Sequence, residues 1–175
     1  MTKITAIIPT FNEESNIQRA LDSVSFADEI IVIDSFSTDK TVAIVKESNA
    51  ILVQRTFDDF SSQKNFALEK ASNDWIFLLD ADETIPENLK EEILQTVVST
   101  TNFDAFYIYR SFFFKKEKLH FSGWRRDKVI RLFHKDTCRY VGKVHEEIST
   151  NGTGGFLKGK ITHYSYKSFI HIKTI

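Results

Sequence analysis

A chain of 175 residues is the size of one ordinary domain and can bury roughly 70% of its unfolded surface, which excludes a mini-protein dependent on staples. With 42% hydrophobic and 27% charged residues, and 23 Lys+Arg against 24 Asp+Glu, it reads as a soluble globular protein whose net charge of -1 gives no global pull toward nucleic acid. Its single cysteine, Cys138, excludes an intramolecular disulfide and fits a reducing, cytoplasmic compartment.

The run Lys3 to Pro9 is short, apolar and β-branched, as expected of a strand buried on both faces of a parallel sheet. Polar Thr10 and Asn12 follow too soon for a signal peptide, and no window holds the roughly 20 apolar residues of a membrane span. Glu29 to Asp34, Ala50 to Arg55 and Trp75 to Asp80 repeat the strand signature. Between them, segments of helical length run from Glu14 to Val24, from Asp39 to Ser48 with Ser37 or Thr38 as N-cap, and from Phe60 to Ala71. This alternation predicts βαβ units with right-handed crossovers. The fold class is therefore α/β: a Rossmann-like, mostly parallel sheet flanked by helices, with its ligand beyond the carboxyl ends of the strands.

A fourth helix is predicted from Pro86, at its first position, through Leu89, Ile93 and Val97. The pattern then changes. Asp104 to Phe114, Lys128 to His134 and Lys160 to Tyr164 read as strands with no long helix between them, so a strand-rich second half with mixed or antiparallel pairing is expected. Gly152, Gly154 and Gly155 in Asn-Gly-Thr-Gly-Gly read as a flexible loop or turn. No strand-to-helix context makes them a phosphate cradle.

The acids carry the chemistry. Asp34 ends the second strand, and Asp80 and Asp82 end the fourth within Leu-Leu-Asp-Ala-Asp-Glu, all on the edge where a parallel sheet binds its ligand. A single acid there can be a helix cap, but two separated by one small residue point the same way if the backbone stays extended. Such crowding calls for a positive charge, and Mg2+ or Mn2+ shared with substrate phosphates is the usual resolution. The first strand ends in Pro-Thr-Phe-Asn-Glu-Glu, residues 9–14, an elbow that either caps a helix or presents Thr10 and Asn12 to a base. Lys64 shares a helix face with Phe60, Ala67 and Ala71, and either snorkels to solvent or reaches a diphosphate or the acidic pair.

Three motifs in this order and spacing, Pro-Thr-Phe-Asn-Glu-Glu, Val-Ile-Asp-Ser-Phe-Ser-Thr-Asp-Lys-Thr and Asp-Trp-Ile-Phe-Leu-Leu-Asp-Ala-Asp-Glu, resemble the nucleotide-sugar domain of family 2 glycosyltransferases of the GT-A fold. Trp124-Arg125-Arg126, the run Val129 to Phe133, the run Gly142 to Glu146 and His163-Tyr164-Ser165-Tyr166 are similar to a bacterial subgroup that includes lipopolysaccharide-core β-1,4-glucosyltransferases. Members of that subgroup continue well beyond the His-Tyr motif, so the chain reads as truncated at its C-terminus. The resemblance implies that Thr10, Phe11, Asn12, Glu13 and Asp34 surround a uridine, with Asp34 receiving the uracil edge. It also implies that Asp82 holds the metal, with His163 completing the shell and Asp80 near the ribose or the metal. Residues 1–175 are then one GT-A-like domain, 1–100 binding the nucleotide-sugar donor and 101–175 the acceptor.

The same resemblance places the general base at Glu146, with Glu147 and Asp127 as rival carboxylates. Transfer with inversion needs one carboxylate to take the acceptor proton while Mn2+ or Mg2+ stabilises the departing diphosphate. The segment Phe112 to Phe121, with Trp124-Arg125-Arg126 beyond, mixes aromatics and cations. It reads either as a buried strand with a charged tip or as an acceptor surface for a glycan or lipid-linked glycan, in peripheral contact with the inner membrane face. Two other functions compete: a nucleotidyltransferase, which lacks the Gly-rich loop that would hold a triphosphate, and a non-catalytic nucleotide-sugar or glycan-binding module.

Overall fold

A computed structural model of the chain describes residues 2–99, 102–114, 117–118, 127–142, 147–150 and 152–166. The first half alternates as β1 (Ile4–Thr10), α1 (Ile17–Ser23), β2 (Glu29–Asp34), α2 (Thr41–Lys46), β3 (Ile51–Gln54), α3 (Phe60–Lys70) and β4 (Trp75–Leu78). A two-residue strand β5 (Glu83–Thr84) and α4 (Glu87–Val98) follow. The second half contains β6 (Phe103–Phe114), β7 (Glu117–Lys118), β8 (Lys128–His134), β9 (Cys138–Val141), β10 (Glu147–Thr150) and β11 (Thr153–Tyr166).

One sheet in the order β3-β2-β1-β4-β8-β6-β11-β5, with β7 beside β6, runs through both halves, and β9 and β10 pair separately. Pairing is parallel from β3 to β4, antiparallel on both sides of β8, parallel at β6–β11 and antiparallel at β11–β5. Alternation along each central strand feeds two cores. Ile4, Ala6 and Ile8 of β1 with Trp75, Phe77 and Leu79 around β4 pack beneath α1, α2 and α4. Ile7, Ile31, Ile33, Ile76 and Leu78 pack on the opposite face with Ala67 and Leu68 of α3 and Tyr140 of β9. Leu89, Ile93 and Val97 are the buried stripe of α4, at the spacing the sequence predicts.

Several expectations change in detail. β3 is the sheet edge and half exposed, not buried on both faces. The first two helices are shorter than predicted, and α2 starts after Lys40 with no side-chain cap. Ser37 and Thr38, the expected caps, are used elsewhere: Ser37 Oγ accepts from Asn12 N and Thr38 N donates to Asn12 Oδ1 across the neighbouring loop. Pro86 is the extended residue before α4, not its first turn. Gly152 stands in the bend before β11, as expected, but Gly154 and Gly155 belong to the strand: a Cβ on Gly155 would lie 2.8 Å from the Phe106 ring and 2.9 Å from that of Phe103, so close ring packing, not a turn, demands glycine there. Among the described residues no helix is long and apolar enough to cross a membrane.

Candidate active site

The carboxyl ends of β1 and β4 open into a cleft of about 290 Å3. Its lining includes Thr10, Phe11, Glu13, Lys64, Asp80 and Asp82, which the sequence singles out, together with Gln63 and the exposed rings of Phe57 and Phe60. The elbow after β1 is held by its neighbour: Asn12 N donates to Ser37 Oγ at 2.8 Å, Glu13 N to Thr41 Oγ1 at 2.8 Å, and Thr38 N returns a bond to Asn12 Oδ1 at 2.8 Å. Asn12 and Phe36 both adopt positive φ, 55° and 61°, at the facing turns of these two loops. Asn tolerates that region; Phe does not, and strain of this kind gathers at functional sites.

Asp34 and Asn12 lie behind the cleft wall rather than on it. Asp34 is fully buried, and its carboxylate accepts from Ser37 N and Gln54 Nε2 at 3.0 Å each and from Ser37 Oγ. The Asn12 side-chain oxygen is taken by Thr38. Lys64 is buried and so does not snorkel to solvent; its ammonium lies 5.0 Å from the centre of the Tyr140 ring.

The two acids after β4 part company. The backbone turns after Asp80, whose carbonyl accepts from Glu83 N at 2.9 Å, so the extended geometry that would align the pair ends there. Asp80 binds Arg131 of β8 through two guanidinium nitrogens, and Arg131 Nη2 also reaches the fully buried Glu83 at 2.9 Å. The positive charge beside Asp80 is therefore an arginine. Burial opposes ionisation of Asp80, but Arg131 first and then Lys64 outweigh it and hold the carboxyl far below its ordinary range. Burial prevails at Glu83, whose pKa is raised despite Arg131.

Asp82 faces β11 instead. The β5–β11 pairing sets His163 opposite Glu83, Tyr164 N bonds the Asp82 carbonyl at 2.9 Å, and His163 Nε2 lies 3.2 Å from Asp82 Oδ2. Burial lowers the His163 pKa, yet the adjacent carboxylate overcomes this and the net shift is upward. Among the described residues no cluster of three or more His, Cys, Asp or Glu is arranged to hold a metal. A carboxylate and an imidazole still fit a divalent transition ion that draws its remaining ligands from substrate phosphates and water, the carboxylate alone suiting Mg2+.

Buried polar groups are normally hydrogen-bonded, so each orphan calls for an ordered water, an ion or a ligand group beside it. Among the described residues five buried side-chain atoms have no partner: Thr10 Oγ1, Gln63 Oε1, Arg131 Nε, His134 Nδ1 and His163 Nδ1. All but His134 belong to residues that line the cleft or touch its acids.

A family model described as glycosyl transferase family 2 matches residues 5–153. The chain belongs to this family. Among its relatives, an uncharacterized glycosyltransferase of Rickettsia bellii is 42% identical over 150 residues, covering 82% of this chain and 50% of the relative. The lipopolysaccharide core biosynthesis glycosyltransferase LpsC of Rhizobium meliloti is 27% identical, covering 92% of this chain and 63% of that protein. This family 2 chain thus spans about half to two-thirds of the length of these curated relatives. Among solved structures, S. aureus TarS 1–349 in complex with UDP-GlcNAc superimposes with a TM-score of 0.65 at 18% identity, covering 99% of this chain and 61% of that one. The glucosyl-3-phosphoglycerate synthase of Mycobacterium tuberculosis, solved with Mn2+, UDP and glucosyl-3-phosphoglycerate, gives 0.52 at 23%, covering 66% and 45%. The fold is GT-A, as the motifs imply.

Within this family 2 chain the candidate base Glu146 lies outside the described residues, as do Lys115, Lys116 and residues 119–126 of the aromatic and basic segment. Of the rival carboxylates, Asp127 is engaged by Arg110 at 2.6 Å, and exposed Glu147 lines a second cleft that shares Lys64 and Asp80 with the first. Sequence reasoning missed Arg131, Glu83 and Gln63. A cation inside the apolar strand Val-Ile-Arg-Leu-Phe was the available signal for Arg131, because a buried charge requires a buried partner.

Proposed function

We propose that this chain forms the donor-binding and catalytic part of an inverting, metal-dependent glycosyltransferase, moving a sugar from a UDP-sugar to a glycan or lipid-linked glycan of the cell envelope. Residues 1–100 and 101–175 serve as the donor and acceptor halves of one domain, working in the cytoplasm and at the inner membrane face. The observation that carries the reading is the gathering of orphaned polar atoms around one cleft holding Asp80, Asp82 and Lys64. Neighbours of the same fold solved with UDP-GlcNAc or with UDP and Mn2+, and a relative named for lipopolysaccharide core biosynthesis, lend support.

Asp82 and His163 would hold Mn2+ or Mg2+, which when bound neutralises charge on the leaving diphosphate. Lys64 offers a second cation to the same group. Phe11, Phe57 and Phe60 present ring surface to the base, with Thr10 and Glu13 as its polar neighbours and Asn12 fixing their loop. Asp34, buried behind the cleft wall with three bonds to Ser37 and Gln54, fixes the loop that faces the uracil. Asp80, kept ionised by Arg131, is a fixed acceptor for a ribose hydroxyl. Glu146 takes the proton of the acceptor hydroxyl.

Thermal unfolding with UDP, ADP and GDP, in Mn2+ and in EDTA, tests the assignment. UDP with Mn2+ should raise Tm most, because the ligand that the folded chain binds most tightly stabilises it most. A larger shift with ADP or GDP contradicts the uridine assignment. No shift with any nucleotide removes the donor site itself.

A further inference from the structure

The second cleft, about 520 Å3, runs from Lys64 and Asp80 along β8 and β6 past Tyr107, Arg110 and Lys128. Arg131, whose Nε is buried without a partner among the described residues, also lines it. Beside Tyr107 the sheet carries an aromatic row. Tyr107 and Phe156 stack with centroids 5.2 Å apart, and Tyr109 lies 6.3 Å from Phe156 with nearly the same tilt. These are neighbours across β6 and β11, where Phe156 pairs with Tyr107 and Lys160 with Tyr109. The Lys128 ammonium sits 4.7 Å from the ring centres of both Tyr107 and Phe156, and Lys160 lies 5.8 Å from Tyr109. Phe156 is 53% exposed and both lysines are exposed. Cross-strand aromatic pairs and the lysines over them stabilise the sheet, and the same exposed row of rings and cations beside a cleft is a ready recognition surface.

We infer that this platform, Tyr107, Tyr109 and Phe156 with Lys128 and Lys160, seats an anionic saccharide: the acceptor chain of the proposed reaction, on which this inference rests. Ring faces match the C–H faces of pyranoses, and ammonium groups match carboxylate or phosphate substituents on the sugars. The second cleft leads from the platform to Lys64 and Asp80, which also line the donor cleft, so a chain lying along it delivers its end to the donor. A bilayer fits less well, because Tyr107 and Tyr109 are half-buried and Phe156 is the one ring of the row left mostly open. Nucleic acid is disfavoured by the net charge of -1, which gives no global attraction for a polyphosphate backbone.

Calorimetric titration of the chain with trigalacturonate, with maltotriose as the neutral counterpart and UDP·Mn2+ as reference, tests this. Trigalacturonate should bind more tightly than maltotriose. Phe156→Ala should weaken both about ten-fold, and Lys128→Gln combined with Lys160→Gln should abolish the preference for the charged sugar, all with UDP affinity unchanged. The substituted side chains are exposed, and an unchanged far-UV spectrum confirms the fold; should Phe156→Ala unfold, the lysine pair alone decides. UDP binding without trigalacturonate binding, or equal affinities in parent and variants, overturns the inference and leaves the donor site standing. Binding of phosphatidylglycerol vesicles in place of the saccharide, lost in Phe156→Ala, also overturns it in favour of a membrane surface. Failure to bind either UDP or saccharide removes both readings.

Discussion

Arg131 reaches from β8 between two carboxylates, Asp80 at the cleft and Glu83 behind it, and is their shared counter-charge. Removing one partner of a buried pair leaves the others uncompensated, so Arg131→Ala should lower stability by about 3–5 kcal/mol in denaturant unfolding at pH 7. The pH dependence has a definite sign. Asp80 titrates far below its unfolded value, so its contribution is complete above about pH 4 and is lost as pH falls. The gap between parent and Arg131→Ala should therefore narrow in acid; a gap independent of pH would show that Arg131 acts through packing alone. Asp80 and Asp82 were legible in the sequence because they follow a buried apolar strand. Of their partners, His163 entered through the family resemblance alone and Arg131 was missed, because they lie 81 and 51 residues further along and arrive only through the order of the strands.

β11 shows how far an element can be read locally. Its Lys160 to Tyr164 segment was legible as a strand, but its first residues look like a turn, since the reason for Gly155 is a pair of rings contributed by β6. The same strand passes α4 at Gly159, where a Cβ would lie 2.8 Å from Leu89 Cβ and 2.9 Å from its Cα. Gly159→Ala should cost about 1–3 kcal/mol in thermal unfolding by pushing the strand off the helix, and a neutral substitution would mean that α4 can yield. β5, which sets His163 beside the acids, is two residues long and too short to leave a periodic pattern. The parallel half was readable for the opposite reason: burial on both faces writes continuous apolar runs at β1, β2 and β4.

At the scale of the molecule, one sheet joins a parallel half, which supplies the acids and the elbow, to a mixed half, which supplies Arg131 and His163. The proposed division of labour between the halves predicts separable kinetic effects. In an active full-length enzyme, Glu146→Gln should lower turnover about 10²- to 10⁴-fold with UDP affinity unchanged; the same loss from Glu147→Gln, with Glu146→Gln silent, would move the base to the carboxylate that lines the second cleft. The central claim is that Asp82 carries metal-dependent donor binding. Its most direct test is calorimetric titration of UDP into the parent and Asp82→Ala, each in Mn2+ and in EDTA. The parent should bind UDP far more tightly in Mn2+ than in EDTA, and Asp82→Ala should bind at the EDTA level under both conditions with its fold intact. Equal UDP affinity in parent and variant, with and without metal, would contradict the account.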